Sequence, residues 1–363
     1  MSVKCGMVGL PNVGKSTLFN ALTNKQVAAE NFPFCTINPN IGIVSIPDVR
    51  LNNIANIVNA KKIIKTFIEF IDIAGLIQGS YKGEGLGNQF LHNIQNTDAI
   101  VHVVRAFNNK NITHVYGKVI PISDIEMINM ELILFDLKIC ESRILTLEKK
   151  MNSKDLYLKK EILVLKNCIR SLKQFIMLKS LNLDVEEKCL IDHLRLLTLK
   201  PMIYVINVDD VLHNHSSFLD PIYELAKKEH TSVIKLCAKD KNENSNIKNT
   251  DINHSIELMN LHKKGLDHIV SLSYSLLNLH TFFTAGIKEV KAWTISKNST
   301  ALEAAGKIHT DIKKGFIRAQ IISYLDFIHY QGEKKSKEYG KMKTEGKNYI
   351  VQDGDIINFL FNL

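Results

Sequence analysis

Gly9-Leu10-Pro11-Asn12-Val13-Gly14-Lys15-Ser16-Thr17 decides the fold of this chain. Two glycines with four residues between them, then lysine and a hydroxyl residue, form a loop whose backbone N–H groups can turn inward around phosphate oxygens. Lys15 can reach the β- and γ-phosphates, and the Ser16 hydroxyl can ligate Mg²⁺. The apolar run Val3–Val8 precedes the loop and a helical stretch, Ser16–Leu22, follows it. That strand–loop–helix order is the context the motif requires, and the helix adds its positive end to the same pocket.

Outward from the loop, apolar runs recur as candidate strands: Cys5–Val8, Ile41–Ile46, Phe67–Asp72, Ile100–Ala106, Met202–Ile206 and Ser232–Cys237. Helical stretches between them predict a parallel, doubly wound α/β sheet. Between the fourth and fifth strands, Ile125, Ile128, Leu132, Phe135 and Ile139 recur at three- and four-residue steps. Leu158, Ile162, Leu165, Ile169, Leu172 and Ile176 do the same after Asn152-Ser153. Two such seams joined by a short turn predict an antiparallel coiled-coil hairpin. Lys239–Thr250 is polar and aperiodic, the pattern of a mobile loop, and two helical stretches are expected after it, ending near Leu279. The last part has short β-like runs at Phe282–Ala285, Val290–Ile295, Phe316–Ile321, Tyr349–Val351 and Ile356–Phe361, with a helix at Ala301–Ile308, and reads as a small separate α+β domain. The expected boundaries are 1–123 with 200–279 for the nucleotide domain, 124–199 for the helical arm and 280–363 for the last domain.

The chain has 363 residues and a formal net charge of +9, with an isoelectric point near 9.0. A surface of that sign suits a polyanionic partner such as RNA. No apolar run is long enough to span a bilayer, no signal peptide is expected ahead of the first strand, and six scattered cysteines without metal-ligand spacing suggest reduced thiols in a cytoplasmic protein.

Asp72-Ile73-Ala74-Gly75 ends the Phe67–Asp72 strand. An Asp in this place holds Mg²⁺ through a water, and the Gly75 amide senses the γ-phosphate. Thr36, in Phe32–Ile37, can add a second hydroxyl to the metal and release it when the γ-phosphate is lost. Asn207-Val208-Asp209-Asp210 stands after the fifth strand, where a base-reading loop belongs, and Cys237-Ala238-Lys239 where a second base contact belongs. Leu76 fills the place where a water-orienting glutamine often stands. His114, in the polar loop Asn108–His114, is one candidate to position the attacking water. Asn12, which could hold a monovalent cation such as K⁺ beside the phosphates, is another. Lys334, Lys335, Lys337, Lys341, Lys343 and Lys347 gather within Gly332–Lys347, a stretch fit to neutralise phosphates or to stand as a solvated loop.

Together with Asn31–Thr36, Asp72–Leu76, Lys82–Phe90, Thr281–Thr294, Ala305–Asp311 and Gly315–Gln320, the phosphate loop makes the chain resemble the Obg-like ATPase family, also called YchF, over nearly its whole length. The resemblance implies a P-loop NTPase core of the translation-factor class, a coiled-coil arm and a C-terminal TGS domain with a β-grasp fold. It implies slow ATP hydrolysis with Mg²⁺, ATP preferred over GTP, binding to the ribosome and its rRNA, and no membrane; a monomer is expected. By matching positions it implies Asn12, Val13, Gly14, Lys15, Ser16 and Thr17 on the phosphates, Ser16 and Thr36 on Mg²⁺, Asn207 and Val208 at the base, and His114 in catalysis. Asp210 departs from the glutamate usual in the family. A GTP-dependent switch, or a ribosome-binding module with incidental hydrolysis, is the alternative.

Overall fold

A computed structural model describes residues 3–23, 40–75, 86–109, 111–150, 155–209, 216–238 and 252–362. Thr36, Leu76, residues 82–85 of the Lys82–Phe90 stretch, Asp210 and the 239–250 stretch lie outside the described residues.

In chain order the elements begin with β1 (Val3–Val8), α1 (Lys15–Thr23), β2 (Ile41–Ser45), α2 (Val49–Val58), β3 (Ile63–Ile64), β4 (Phe67–Asp72), α3 (Leu86–Gln95) and β5 (Ala99–Arg105). The helices α4 (Pro121–Lys150), α5 (Leu156–Lys173) and α6 (Val185–Ile191) follow, then β6 (Met202–Asn207), α7 (Ser216–Lys228), β7 (Ser232–Leu236) and α8 (Ile252–Leu276). The chain ends with β8 (Leu279–Ala285), β9 (Val290–Ser296), α9 (Ala301–Ile308), α10 (Thr310–Lys314), β10 (Phe316–Ile322), α11 (Tyr324–His329), α12 (Glu333–Glu338), β11 (Lys343–Glu345) and β12 (Ile356–Phe361). One helix, α8, stands where the sequence suggested two.

Contacts divide the chain into two compact units, Met1–Val44 with Glu69–Ile269, and Ser45–Ile68 with Val270–Leu363. The expected boundaries differ: 45–68 was assigned to the nucleotide domain, and its contacts lie with the C-terminal residues.

The first sheet runs β2-β4-β1-β5-β6-β7. β1, β5, β6 and β7 are parallel. β5 and β6 are buried throughout, which is why their sequences are mostly apolar, with His102 inside β5 and Arg105 and Asn207 at the strand ends as the polar exceptions. The edge departs from the all-parallel expectation: Asp72 N–H donates to Asn40 O and Ile46 N–H to Thr66 O, so β2 is antiparallel to β4. Leu18 and Leu22 of α1 are fully buried.

α4 is 30 residues long. Its second half pairs with α5 as an antiparallel hairpin, set by the ion pairs Arg143–Glu161 and Glu141–Lys173, but the buried residues there are Cys140, Ile144 and Leu147 and not the expected Ile125–Ile139 seam, and Ile176 lies beyond α5, exposed. The first half of α4 is no free arm. Asn129 Nδ2 donates to Tyr204 Oη at 3.0 Å and to Glu229 Oε1 at 3.1 Å, and at the middle of the helix the buried Asp136 carboxylate accepts hydrogen bonds from Leu197 N, Thr198 N and Thr198 Oγ at 2.9, 2.7 and 2.6 Å.

The second sheet, β11-β10-β12-β8-β9-β3, is mixed. Its edge strand β3 adds parallel to β9, with Ile63 opposite Val290. One face buries Phe282, Ile295, Ile357 and Phe359 against Ala301, Ala304 and Ala305 of α9, a helix opened by a capping box between Thr300 and Glu303. The other face buries Phe283, Val290, Ala292 and Ile356 against Leu51, Ile54 and Ala55 of α2 and Phe327 of α11. Arg50 of α2 binds both Asp48 and Asp353. One expectation fails here, and one alternative is set aside. Tyr349–Val351 forms a single bridge, Ile350 to Thr300, and no strand; Gly332–Lys347 carries α12 and β11 where a loop was the alternative.

Candidate functional site

The phosphate loop leaves β1 at Gly9, where the chain passes so close to β5 that a Cβ would lie 2.6 Å from the Val103 carbonyl oxygen. Asn12 and Gly14 have left-handed backbones, φ 64° and 88°, the alternation that turns successive amides into one concavity. A side chain at Gly14 would also collide with Nδ2 of Asn207. Gly14 O accepts from Leu18 N, so α1 begins directly at the loop.

Above the loop lies a cavity of about 640 Å³. Asn12, Gly14, Lys15, Ser16, Thr17 and Gly75 line one part, and Phe107, Asn109, Ile112, Asn207, Val208, Asp209, Cys237 and Ala238 the rest. The structure thus brings together the phosphate loop, the sensor glycine and both loops expected at a base. Lys15 Nζ bonds to Asp72 Oδ1, and Ser16 Oγ donates to Asp72 Oδ2 at 2.9 Å. Ammonium, hydroxyl and carboxylate therefore converge from α1 and the end of β4.

Asn207 holds this frame. Its Nδ2 donates to Val13 O at 2.9 Å and its Oδ1 accepts from Ala238 N at 3.0 Å. Both ends of the amide are occupied within the protein, so Asn207 braces the loops, while buried Val208 supplies apolar wall.

Arg105 was missed in the sequence. Buried at the end of β5, it donates to the carbonyls of Phe107, Asn109 and Ile112 and lies 4.4 Å from the Phe107 ring centroid. Burial pulls the guanidinium below its ordinary pKa, and Asp124 and Asp209 act in the opposite direction. Asp209 Oδ2 in turn accepts from Asn108 N at 2.9 Å. The polar loop that walls the cavity is thus tied from beneath by a cation and from beside by a carboxylate. An arginine at the end of a strand buried throughout was the available signal.

His114 is not brought to the cavity lining. Its side chain is 3% exposed, with Nε2 3.0 Å from Asp124 Oδ2 on α4. Its Nδ1 accepts from Tyr116 N at 3.3 Å. Both ring nitrogens are engaged, and Nδ1, as an acceptor, leaves Nε2 to carry the proton toward Asp124. Burial raises the Asp124 pKa against the lowering influence of His114 and Arg105. The neighbouring residue does reach the loop: Thr113 O accepts from Asn12 Nδ2 at 3.2 Å.

A mostly parallel sheet with a lysine-bearing loop between its first strand and helix, and a carboxylate facing that lysine, defines a phosphate-loop nucleotide-binding protein. Two family models match: one described as a 50S ribosome-binding GTPase over residues 4–138, and the YchF GTPase C-terminal family, described as a protein of unknown function, over residues 279–362. The chain is 54% identical to the ribosome-binding ATPase YchF of Buchnera aphidicola subsp. Acyrthosiphon pisum and 52% identical to that of Escherichia coli O157:H7, in each case over all of both chains. It also matches a solved structure described as the Schizosaccharomyces pombe YchF GTPase, at 33% identity and TM-score 0.85, covering 99% of this chain and 98% of that one. The chain belongs to the YchF family. That family's phosphate-loop core implies a divalent metal bound with the nucleotide.

Proposed function

We propose that the chain is a ribosome-associated ATPase that binds ATP with Mg²⁺ and hydrolyses it slowly. The observation that carries this reading is the convergence of Lys15, Ser16 and Asp72 at the mouth of a left-handed amide concavity beneath an apolar slot. The bacterial relatives, named as ribosome-binding ATPases, support its ribosomal half.

The donor set fits a hard divalent cation. The Ser16 hydroxyl and the Asp72 carboxylate are oxygen donors within 2.9 Å of each other on the same cavity. Ser16 and Thr36 would hold Mg²⁺ directly and Asp72 through a water, and the ion would neutralise charge on the β- and γ-phosphate oxygens. Lys15 exchanges Asp72 for those oxygens when a nucleotide enters. The amides of Asn12 to Thr17 cradle the phosphates, and Gly75 N–H reports the γ-phosphate. Asn12 offers a side-chain oxygen for K⁺ beside them. The base lies along Val208, which stands where a lysine stem packs in GTP-binding relatives of the fold.

His114 is the group proposed to set the attacking water. In the described arrangement its nitrogens are committed to Asp124 and Tyr116, so it must turn out of that pairing before it acts. This fits slow turnover. In the same reading the C-terminal sheet is a TGS-type β-grasp, and the protein is a cytoplasmic monomer that stays off membranes. Among the described residues no helix is long and apolar enough to cross one.

Phosphate release from ATP by the purified chain, with and without Mg²⁺ and ribosomes, tests the reading. Metal-dependent turnover and co-sedimentation with ribosomes are the expected results. Absence of either one overturns the corresponding half. A GTP-dependent switch is the second reading, supported by the description of the S. pombe relative as a GTPase; tighter binding of GTP than ATP would install it.

A further inference from the structure

The stacked tyrosines Tyr330 and Tyr339, with the lysines around them, form a platform in the second unit. Their ring centroids are 4.9 Å apart and their planes 25° from parallel. Tyr330 also meets His329 edge-on at 4.7 Å. Tyr339 is 66% exposed, so the stack offers a flat aromatic surface to solvent instead of filling a core. Between Tyr330 and Lys343 the chain carries five lysines, Lys334, Lys335, Lys337, Lys341 and Lys343, against two glutamates, Glu333 and Glu338. All five lysines are exposed. Lys335 lies one helical turn before Tyr339, on the same side of α12.

Buried hydrogen bonds tie the platform to the core of the unit. Ser336 is fully buried and its Oγ donates to Gly332 O at 2.8 Å. Gly332 N–H donates to the carbonyl of the core residue Phe327, and Lys341 N–H to Ser336 O. A cleft of about 390 Å³ opens at Tyr324, Lys341 and Lys343, and Asp326, Asp353 and Asp355 also line it.

We infer that this face binds unpaired nucleotides of RNA, one base stacking on Tyr339 while the lysines neutralise the flanking phosphates. An exposed aromatic face among cations is the chemistry of single-strand recognition, because every base has a π-face. A duplex keeps its bases in its own stack and offers no free face to the tyrosines, so a loop, bulge or single-stranded end is the fitting partner. The inference rests on the ribosome-associated reading and names the chemistry of one contact.

The test is fluorescence anisotropy with a labelled 12-nucleotide single-stranded RNA of mixed sequence and a blunt duplex of equal length, each at several salt concentrations. The full chain is compared with Tyr339→Ala, Tyr339→Phe and the triple variant Lys334→Gln, Lys335→Gln, Lys337→Gln. Tyr339→Ala should weaken single-strand binding by about five- to a hundred-fold with an unchanged salt slope, and Tyr339→Phe should restore it. The triple variant should lower the salt slope by about 2. ATP turnover should stay the same in all variants. Failure of the wild-type chain to bind the single strand overturns the inference, as does equal binding by Tyr339→Ala. Stronger binding to the duplex than to the single strand also overturns it. Displacement of the RNA by poly-glutamate, equally in wild type and Tyr339→Ala, would assign the face to an acidic protein instead. Ribosome sedimentation read in parallel separates the two claims. A wild-type chain that sediments while Tyr339 is irrelevant to RNA loses only this inference.

Discussion

The two six-stranded sheets are built by opposite routes. In the first, five of the six strands, β1, β4, β5, β6 and β7, lead into residues that line one cavity. In the second, strands more than two hundred residues apart in sequence lie side by side, Ile63 against Val290, and helices cover both faces. The first sheet places its chemistry at the ends of buried strands, where loops are free to carry function. The second uses its strands to close a core and leaves its polar residues to a helix and an edge. A local sequence pattern reveals the first kind of sheet. Only long-range packing reveals the second.

The comparison breaks most visibly if residues 279–362, the span of the C-terminal family model, fold alone. Without β3 and the Leu51, Ile54 and Ala55 face of α2, one side of that sheet keeps only the cover of α11, through Phe327. The fragment should show no cooperative urea transition, and joining 45–68 to it should restore one. In the intact chain, Leu51→Ala should cost about 2–5 kcal/mol in the transition of the second unit while ATP affinity at low temperature holds.

Lys15→Ala should leave the second sheet's transition in place and reduce phosphate release by about a hundred-fold or more, because one preorganised charge on the transferred phosphate is lost. A turnover within a few-fold of wild type would detach the site from the first sheet. Gly14→Ala should come next in size. The φ of 88° strains any L-residue, and the Asn207 brace must yield, for a loss of about 1–3 kcal/mol and weaker ATP binding by calorimetry.

The smallest expected effect concerns His102, fully inside β5, where burial, with Lys179 adding to it, pushes the pKa down to about 3. The folded value lies below the unfolded one, near 6.5. The neutral ring's contribution is therefore complete above pH 6.5 and lost as pH falls toward 3. Between pH 6.5 and 5 this amounts to about 2 kcal/mol. The stability difference between wild type and His102→Phe, from urea titrations at both pH values, should move by that amount. A constant difference would mean that His102 is hydrated.

Much of the first sheet was legible. β4 and β6 fall within a residue of the apolar runs that predicted them, and α9 matches its expected span. The phosphate loop was legible because lysine, glycine and serine each have a mechanical duty there. The helix α2 was expected only as an unplaced stretch between two strands of the first sheet, although Asp48 caps it and Leu51, Ile54 and Ala55 share one face. Even with the helix drawn, nothing local names Phe283 and Val290 as its cover. The bracing role of Asn207 was hidden because the same residue fits a base-reading motif. His114 could be selected as a histidine near the site, but its pairing with Asp124 depends on how α4 meets the end of β5.

The order of manufacture follows from where β3 sits. The segment 45–68 leaves the synthetic machinery early, and the strands it joins are made about 200 residues later, roughly 10–40 s at ordinary elongation rates. During that interval Leu51 and Ile54 have no sheet to cover, although β1, α1 and β4 can already begin to assemble. The nascent chain therefore holds an oily helix in reserve until its last strand is made, and a stop codon or ribosome stall anywhere after the first sheet would release a product with that helix bare.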